Sequence, residues 1–405
     1  MNEVRSVTEK PIKVNKTLMK EWNRVLVIDQ IRNSDGVSRS QIAKNTGLGL
    51  SSLTSIVKEL ISENLVYEVE KGESSGGRRP ILLKFNEDFG YLVGVKIERD
   101  KLIFCRSNLS ARPVVKEALP YQQRLSNDDV NELLIKGIET IIGDCPRARL
   151  LGIGIAVSGL VNRKEHLVIH SPILAWENYE FGRIAQAFKV PVLVENDSNV
   201  FSLGQIWGGV GAQYRNFIGV IVGAGVGAGI VLNRRLYRGE FGGAGEIGHT
   251  VIQQEGVPCY CGQRGCLEMY ASDKFVVSEA QRLVAMKIPT KLSALPQITP
   301  EDVYQAAAEG DQYAREILVK QGSNLGLGLR NVVNLLNPGA IILGGESLRG
   351  REFILEGLRK ELRSHFFAKH KQDLELHLCD LGEDAFLIGA CALVGYDLFK
   401  APIYT

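Results

Sequence analysis

The rhythm of apolar and polar positions divides this chain into a helical head and a longer strand-and-helix body. From Thr17 to Arg32 the apolar residues Leu18, Trp22, Val25, Leu26, Ile28 and Ile31 recur at helical spacing, and Asp35-Gly36 ends the run. A second helix is expected from Ser38, whose hydroxyl caps it, through Ile42 and Ala43 to Thr46, followed by a turn at Gly47. A third runs from about Ser51 to Asn64, burying Leu53, Ile56, Val57, Leu60 and Ile61 while Ser51, Ser52, Thr54 and Ser55 face outward. Leu65 to Val69 alternates like a strand, Lys71 to Gly77 is a polar loop, and Ile81-Leu82-Leu83 starts the return. Arg78 and Arg79 sit at the tip of that hairpin. The pattern predicts a winged helix-turn-helix in which the hydroxyl-rich helix meets double-stranded operator DNA and the two arginines grip phosphates or a minor groove. A three-helix protein-interaction module with a solvated basic loop fits the same pattern.

Beyond Phe85 the pattern predicts strands at Tyr91–Lys96 and Leu102–Arg106, a helix at Asp128–Ile142, and a buried strand at Leu151–Val157. A helix at Phe181–Phe188 and a strand at Val190–Val194 follow, the latter delivering Glu195-Asn196-Asp197 at its C-terminal end, where ligand groups belong in an α/β sheet. Strands at Phe217–Val222, Gly229–Leu232 and Ala340–Leu343, helices between Ala271 and Leu336, and a last helix from Ala385 to Phe399 complete the body. Thr290 to Pro300, with two prolines, reads as a surface excursion.

At 405 residues the chain is too long for one ordinary domain. A formal net charge of +2 says little until it is divided: the first eighty residues carry 13 Lys and Arg against 10 Asp and Glu, a modestly basic head that permits nucleic-acid binding. With no apolar run long enough to span a bilayer and no hydrophobic leader, a cytoplasmic chain with no membrane partner is expected, its seven cysteines reduced.

Those cysteines are not evenly spread. Between Gly245 and Glu268 stand His249, Cys259, Cys261 and Cys266, one imidazole and three thiols, the set preferred by structural Zn²⁺. Gly262 and Gly265 let the chain fold back toward Cys266, and Gly248 gives backbone freedom beside His249. Three buried reduced cysteines and a surface histidine are the plainer alternative.

Taken together, Glu195-Asn196-Asp197, the run Gly223 to Gly229, Glu246-Ile247-Gly248-His249, the cysteine loop ending in Leu267-Glu268, and Leu343-Gly344-Gly345 resemble the ROK family of repressors and sugar kinases. The resemblance implies an α/β chain in which an N-terminal winged helix-turn-helix, residues 1–84, precedes a two-lobed, actin-like effector domain. Residues 85–194 with 384–405 would form the first lobe, and 195–383 the second, with the zinc loop. It also implies a monosaccharide in the interlobe cleft and assembly as a homodimer or dimer of dimers. Selective binding of a ring of hydroxyls needs carboxylates and amides, and Asn196, Asp197, Glu246, His249 and Glu268 are such a set. By resemblance Asp197 stands where the kinases hold their general base, although it also suits a helix N-cap.

The family's kinases carry Asp-x-Gly-Gly-Thr on the first strand pair. Here the stretch reads Lys96-Ile97-Glu98-Arg99, which fills the loop and places an anion where phosphate would sit, and Gly223-Ala224-Gly225 lacks the hydroxyl of the second phosphate loop. A sugar-responsive repressor without enzymatic activity is therefore expected, with an ATP-dependent sugar kinase as the alternative. Ser171 to Asn178 is similar to the corresponding loop of xylose-responsive members, which points to xylose, then glucose.

Overall fold

The computed structural model describes residues 16–70, 81–122, 125–364 and 373–399. The chain divides into two compact units, one holding residues up to Tyr91 with Asn108–Ser110 and the segment from Gly395, the other holding Leu92–Ser107 and Ala111–Val394.

In the smaller unit, α1 (Lys16–Arg32), β1 (Val37–Ser38), α2 (Arg39–Thr46), α3 (Leu50–Ser62), β2 (Val66–Glu70) and β3 (Ile81–Phe85) follow in order. Ser38 caps α2 by accepting from the Gln41 N–H at 3.3 Å, and Gly47 ends it at φ 73°. Val27, Ile28, Ile31, Ile42, Leu53, Ile56, Val57 and Leu60 form the buried face, with Leu83 of the antiparallel sheet β1-β3-β2. Val27, absent from the expected stripe, is fully buried, while Val25 and Leu26 are half-buried. Lys20–Glu59 and Arg24–Glu63 ion pairs link α1 to α3. The Phe399 ring meets Phe85 edge-on at 5.6 Å, joining the end of the chain to this unit.

The larger unit starts with β4 (Tyr91–Ile97), β5 (Lys101–Ser107), β6 (Pro113–Pro120), α4 (Asn127–Ile142) and β7 (Leu150–Val157). A small antiparallel sheet of β8 (Leu160–Asn162), β9 (Leu167–Ser171) and β10 (Trp176–Glu180) leads to α5 (Gly182–Phe188) and β11 (Val192–Asn196). Then come α6 (Asp197–Trp207), β12 (Phe217–Val222), β13 (Val226–Leu232) and β14 (Arg235–Tyr237). After the cysteine loop follow α7 (Glu268–Ala271), α8 (Asp273–Ala285), α9 (Pro300–Ala308), α10 (Gln312–Leu336), β15 (Ala340–Gly344), α11 (Arg351–Ser364), β16 (Glu375–Leu378) and α12 (Asp384–Leu398).

These strands make two five-stranded sheets, β6-β5-β4-β7-β11 and β14-β13-β12-β15-β16, with the same order: the first strand of each is central, flanked by its hairpin partner and by a later strand. Each sheet therefore presents the turn after its central strand and the end of a later strand on its ligand side. Helix α6 is held closely against α12, since a Cβ at Gly204 would stand 2.0 Å from the Ala385 carbonyl and one at Gly389 1.9 Å from that of Val200. That contact fixes the helix whose first residues are Asp197 and Ser198.

The proline-containing stretch expected as a surface excursion is largely exposed and is pinned at a few points. Leu292 and Ile298 are buried, and Thr290 Oγ1 and Lys291 N donate to Asp311 Oδ2 at 2.6 and 2.7 Å. No helix among the described residues is long and apolar enough to cross a membrane.

Candidate binding cleft and metal centre

A cavity of ≈ 530 Å³ opens inside the larger unit, and Asn196, Asp197, Glu246, His249 and Glu268 all line it. Asn196, last residue of β11, is the N-cap of α6: its Oδ1 accepts from the Ser198 and Asn199 N–H groups at 2.9 and 3.3 Å, and its Nδ2 donates to the Gly159 carbonyl at 3.0 Å. The capping role that Asp197 also suited belongs to Asn196. Asp197 Oδ1 accepts from the Ser198 N–H at 2.7 Å, which orients the carboxyl. Burial pushes that carboxyl up to about 6, against the pull of the Lys96 ammonium and the Ser198 hydrogen bonds and with the help of Glu246.

Across the cavity, burial raises Glu246, offset in part by His249 and reinforced by Glu268. Glu268, only 4% exposed, accepts from the Val226 N–H at 3.1 Å through Oε2 and faces Lys274 Nζ at 3.4 Å through Oε1. Two neighbours not foreseen from the sequence complete this end. The Tyr260 hydroxyl lies 3.2 Å from His249 Nε2, and His170, held by Glu177 at 2.8 Å, lines the opposite wall. Both lie at ordinary-looking positions, a tyrosine between two cysteines and a histidine at an exposed position of β9, so only the fold brings them to the cavity.

At the other end Lys96, 7% exposed, sits 2.6 Å from Glu98 and 3.7 Å from the centre of the Phe386 ring. Lys101 approaches the second Glu98 oxygen at 3.1 Å. Burial alone would raise the Glu98 carboxyl, but the two ammoniums overcome it and hold the group below its usual value. From the sequence, Glu98 is expected to place a free anion in this turn. Its charge is in fact paired on both oxygens, so the side chain blocks by filling space. The glycine turn is occupied as well: a Cβ at Gly223 would stand 2.3 Å from Glu346 Oε2, and one at Gly225 2.7 Å from Glu268 Oε2.

His249, Cys259, Cys261 and Cys266 bring four ligand atoms within 4.8 Å of one another. Cys259 Sγ lies 3.6 Å from His249 Nδ1, and Cys261 Sγ 3.6 Å from Cys266 Sγ. Ligands about 2.0–2.3 Å from a tetrahedral metal are separated by roughly 3.5–3.8 Å, so the donor set fits a closed Cys₃His centre. All seven cysteines are free thiols. Gly262 and Gly265 take φ 89° and 76°, as the fold-back requires. Gly248 serves differently from expectation: its φ is not left-handed, and a Cβ there would meet the Val226 carbonyl at 2.2 Å, so it permits close approach to β13.

In the smaller unit Ser51, Ser52 and Ser55 are exposed on α3. Thr54 departs from expectation, being half-buried with its hydroxyl donating to the Leu50 carbonyl at 2.7 Å. Leu50, 61% exposed at the start of α3, was missed. Arg78 and Arg79 lie outside the described residues.

Residues 93–396 match the ROK family. The chain belongs to the ROK family. Over 396 residues it is 32% identical to the xylose repressor of Caldicellulosiruptor bescii, covering 96% of this chain and 99% of that one. A ROK family transcriptional regulator, homologous to the Escherichia coli MLC protein, superposes with a TM-score of 0.85 at 28% identity, covering 96% of this chain and 98% of that chain. A ROK family glucokinase from Streptomyces griseus, solved with glucose and AMPPNP, superposes with a TM-score of 0.63 at 26% identity, covering 75% of this chain and 99% of its own. The ROK kinase therefore lacks a counterpart to a quarter of this chain, whereas the ROK repressor and regulator extend over nearly all of it.

Proposed function

We propose that this chain is a sugar-responsive transcriptional regulator of the ROK family, a cytoplasmic repressor of carbohydrate-utilisation genes released when a monosaccharide binds the cleft. The single observation that carries this reading is the near full-length match to a xylose repressor, head included, joined to a cleft whose carboxylates suit hydroxyl recognition. Xylose is the proposed effector, with glucose second. Asp197 and Glu246 accept from sugar hydroxyls, Glu268 and the remaining Asn196 donor complete the polar wall, and His249 with the Tyr260 hydroxyl on its Nε2 lines the same wall. The Lys96–Glu98 pair and the carboxylate-filled glycine turn argue against nucleotide phosphates and hence against kinase activity.

Zn²⁺ is the metal we assign to His249, Cys259, Cys261 and Cys266. When bound it ties the cysteine loop together and fixes the His249 ring, whose second nitrogen holds the Tyr260 hydroxyl on the cavity. Residues 1–84 form the DNA-binding domain, with Ser51, Ser52, Thr54 and Ser55 at the major groove and Arg78 and Arg79 at phosphates or the minor groove. Residues 85–194 with 384–405, and 195–383, form the two effector lobes. A homodimer or dimer of dimers sets two recognition helices against half-sites about one helical turn or a multiple apart. Sugar acts by binding one arrangement of the dimer better than the other, with a coupling of about 1–3 kcal/mol, or roughly 5–150-fold.

The test is operator binding with and without xylose, glucose and their phosphates. Operator affinity of the wild type should fall in the presence of the sugar it binds. Arg78→Ala with Arg79→Ala should weaken DNA binding and flatten its salt dependence by about one unit of slope per lost phosphate contact, sugar affinity staying the same. A protein that binds sugar while its operator affinity stays fixed is not a sensor of this kind, and ATP-dependent sugar phosphorylation would restore the kinase reading.

A further inference from the structure

The strand end that carries Asn196 and Asp197 begins with a third polar residue to which the proposed sugar site gives no role. Glu195 is 2% exposed, yet its carboxylate is fully engaged. Oε1 accepts from the Asn199 side chain at 3.0 Å and from the Asn196 N–H at 3.1 Å. Oε2 accepts from Arg238 Nε at 2.6 Å and faces Arg163 Nε at 3.5 Å.

The two arginines come from segments that lead into different walls of the cavity. Arg163 lies in the turn between β8 and β9, and the strand it opens leads to His170 and the lining residues Pro172 to Leu174. Arg238 follows β14 and opens the segment that delivers Glu246. That segment closes on itself, the Ala244 N–H donating to the Arg238 carbonyl at 3.1 Å, and docks on β13, the Ala228 N–H donating to the Gly245 carbonyl at 3.1 Å. One buried carboxylate thus joins the start of α6, the β8–β9 hairpin and the 238–246 segment. A buried ion pair is poor value as mere packing, because apolar residues of similar volume commonly do as well or better for stability.

We infer that Glu195 is a positioning residue, holding these three walls in the relative placement that a sugar ring requires, with Arg238 as its principal partner and Arg163 as its second. This rests on the reading of the cavity as a sugar site. The guanidinium fork gives directional bonds that a lysine would not reproduce, so the arrangement specifies geometry as well as charge.

The experiment compares Glu195→Gln, Arg238→Gln and the double variant. It uses calorimetric titration with xylose and glucose, amide hydrogen exchange on the sugar-free protein, and operator binding without sugar. Each single variant should weaken sugar binding by about tenfold or more, since small misplacements of binding groups are costly. The double variant should be no weaker than the worse single. Exchange should quicken in residues 159–174 and 238–249 but not in 16–70, and sugar-free operator binding should hold. Should Glu195→Gln fail to fold, Arg238→Gln decides, its guanidinium being partly exposed. Folded variants that bind sugar as tightly as wild type, or protection lost evenly along the chain, overturn the inference and leave Glu195 a stability residue. A wild type that binds neither sugar overturns the sugar reading alone, and the exchange pattern then decides whether Glu195 holds the three walls.

Discussion

The two five-stranded sheets share one strand order, and each carries a hairpin turn on the cavity, yet those turns have become unlike. The β4–β5 turn bears Glu98, Arg99 and Asp100, and ammoniums from Lys96 and Lys101 close on Glu98. The β12–β13 turn is Gly223-Ala224-Gly225. Its glycines leave room that Glu346 and Glu268 occupy, and the Val226 N–H just beyond it already donates to Glu268. One turn is filled by its own side chains and the other by carboxylates from elsewhere. The end of β11 and the cysteine loop, by contrast, keep Asp197, Glu246 and His249 on the cavity. The proposed recognition chemistry thus lies at strand ends and loops away from the two hairpins.

The largest effect that tests this division should come from Asp197→Ala. A hydrogen bond to a charged group contributes about 1.5–3 kcal/mol, so loss of a carboxylate that accepts from sugar hydroxyls should weaken sugar binding by about a hundredfold and abolish the operator response. Sugar-free operator affinity should be unchanged. Arg99→Ala, in the exposed part of the first hairpin, should move sugar affinity by less than about threefold in the same titration. If Arg99→Ala did the greater damage, the hairpins would still be the recognition site.

Next in size is the metal centre. Cys261 is exposed, so Cys261→Ala removes little packing, yet it deletes one of four donors. Elemental analysis should fall from one zinc per chain to well below one. Sugar affinity should weaken by about tenfold, the scale seen when a group orienting a ligand-bound histidine is lost. Purified wild type without stoichiometric metal, prepared free of chelators, would remove zinc from the account.

How far the sequence spoke for itself depended on whether function showed on one face of an element. Helices α1 to α3 and α4 carry apolar stripes, and their expected limits lie within about two residues of those observed. Helix α6 was expected only as an element that Asp197 could cap, without limits, because Ser198, Asn199, Ser202 and Gln205 are buried among its apolar residues and no polar face remains. The metal donors were legible because three cysteines and a histidine in a short loop are a chemical pattern that survives without coordinates. Lys96 was legible as a departure from a motif, but its pairing with Glu98 and its seat on Phe386 needed α12 in place. Glu195 was read only as part of a three-residue motif, since its partners Arg163 and Arg238 lie 32 and 43 positions away.

A smaller effect should follow pH. With its carboxyl raised to about 6 by burial, Asp197 loses its charge as pH falls through that value, and sugar affinity should fall with it, by at most about tenfold per unit for one group. Glu246, raised in the same direction, should add to the loss. Stability should move oppositely: between the ordinary value of 3.8 and about 6 the folded chain holds a proton that the unfolded chain has released, so Asp197 favours the fold more as pH falls through this window. Titrations and melts at pH 5, 6 and 7 check both signs, and sugar affinity that is flat across this range would remove Asp197 as an ionised acceptor.

The smallest change in stability should come from replacing the hairpin ion pair outright. Lys96→Met with Glu98→Gln removes both partners, and because the desolvation of a buried pair roughly cancels its attraction, stability should change by no more than about 1–2 kcal/mol. The variant is informative through Asp197. Lys96 is the cation that restrains the rise of that carboxyl, so its removal should move the pH midpoint for sugar binding upward from about 6. The variant should still not phosphorylate sugar, since paired glycines are not restored in the first turn and carboxylates still occupy the second. ATP-dependent phosphorylation by this variant would show that the ion pair alone had silenced a kinase, and that the two hairpins differ less than their sequences imply.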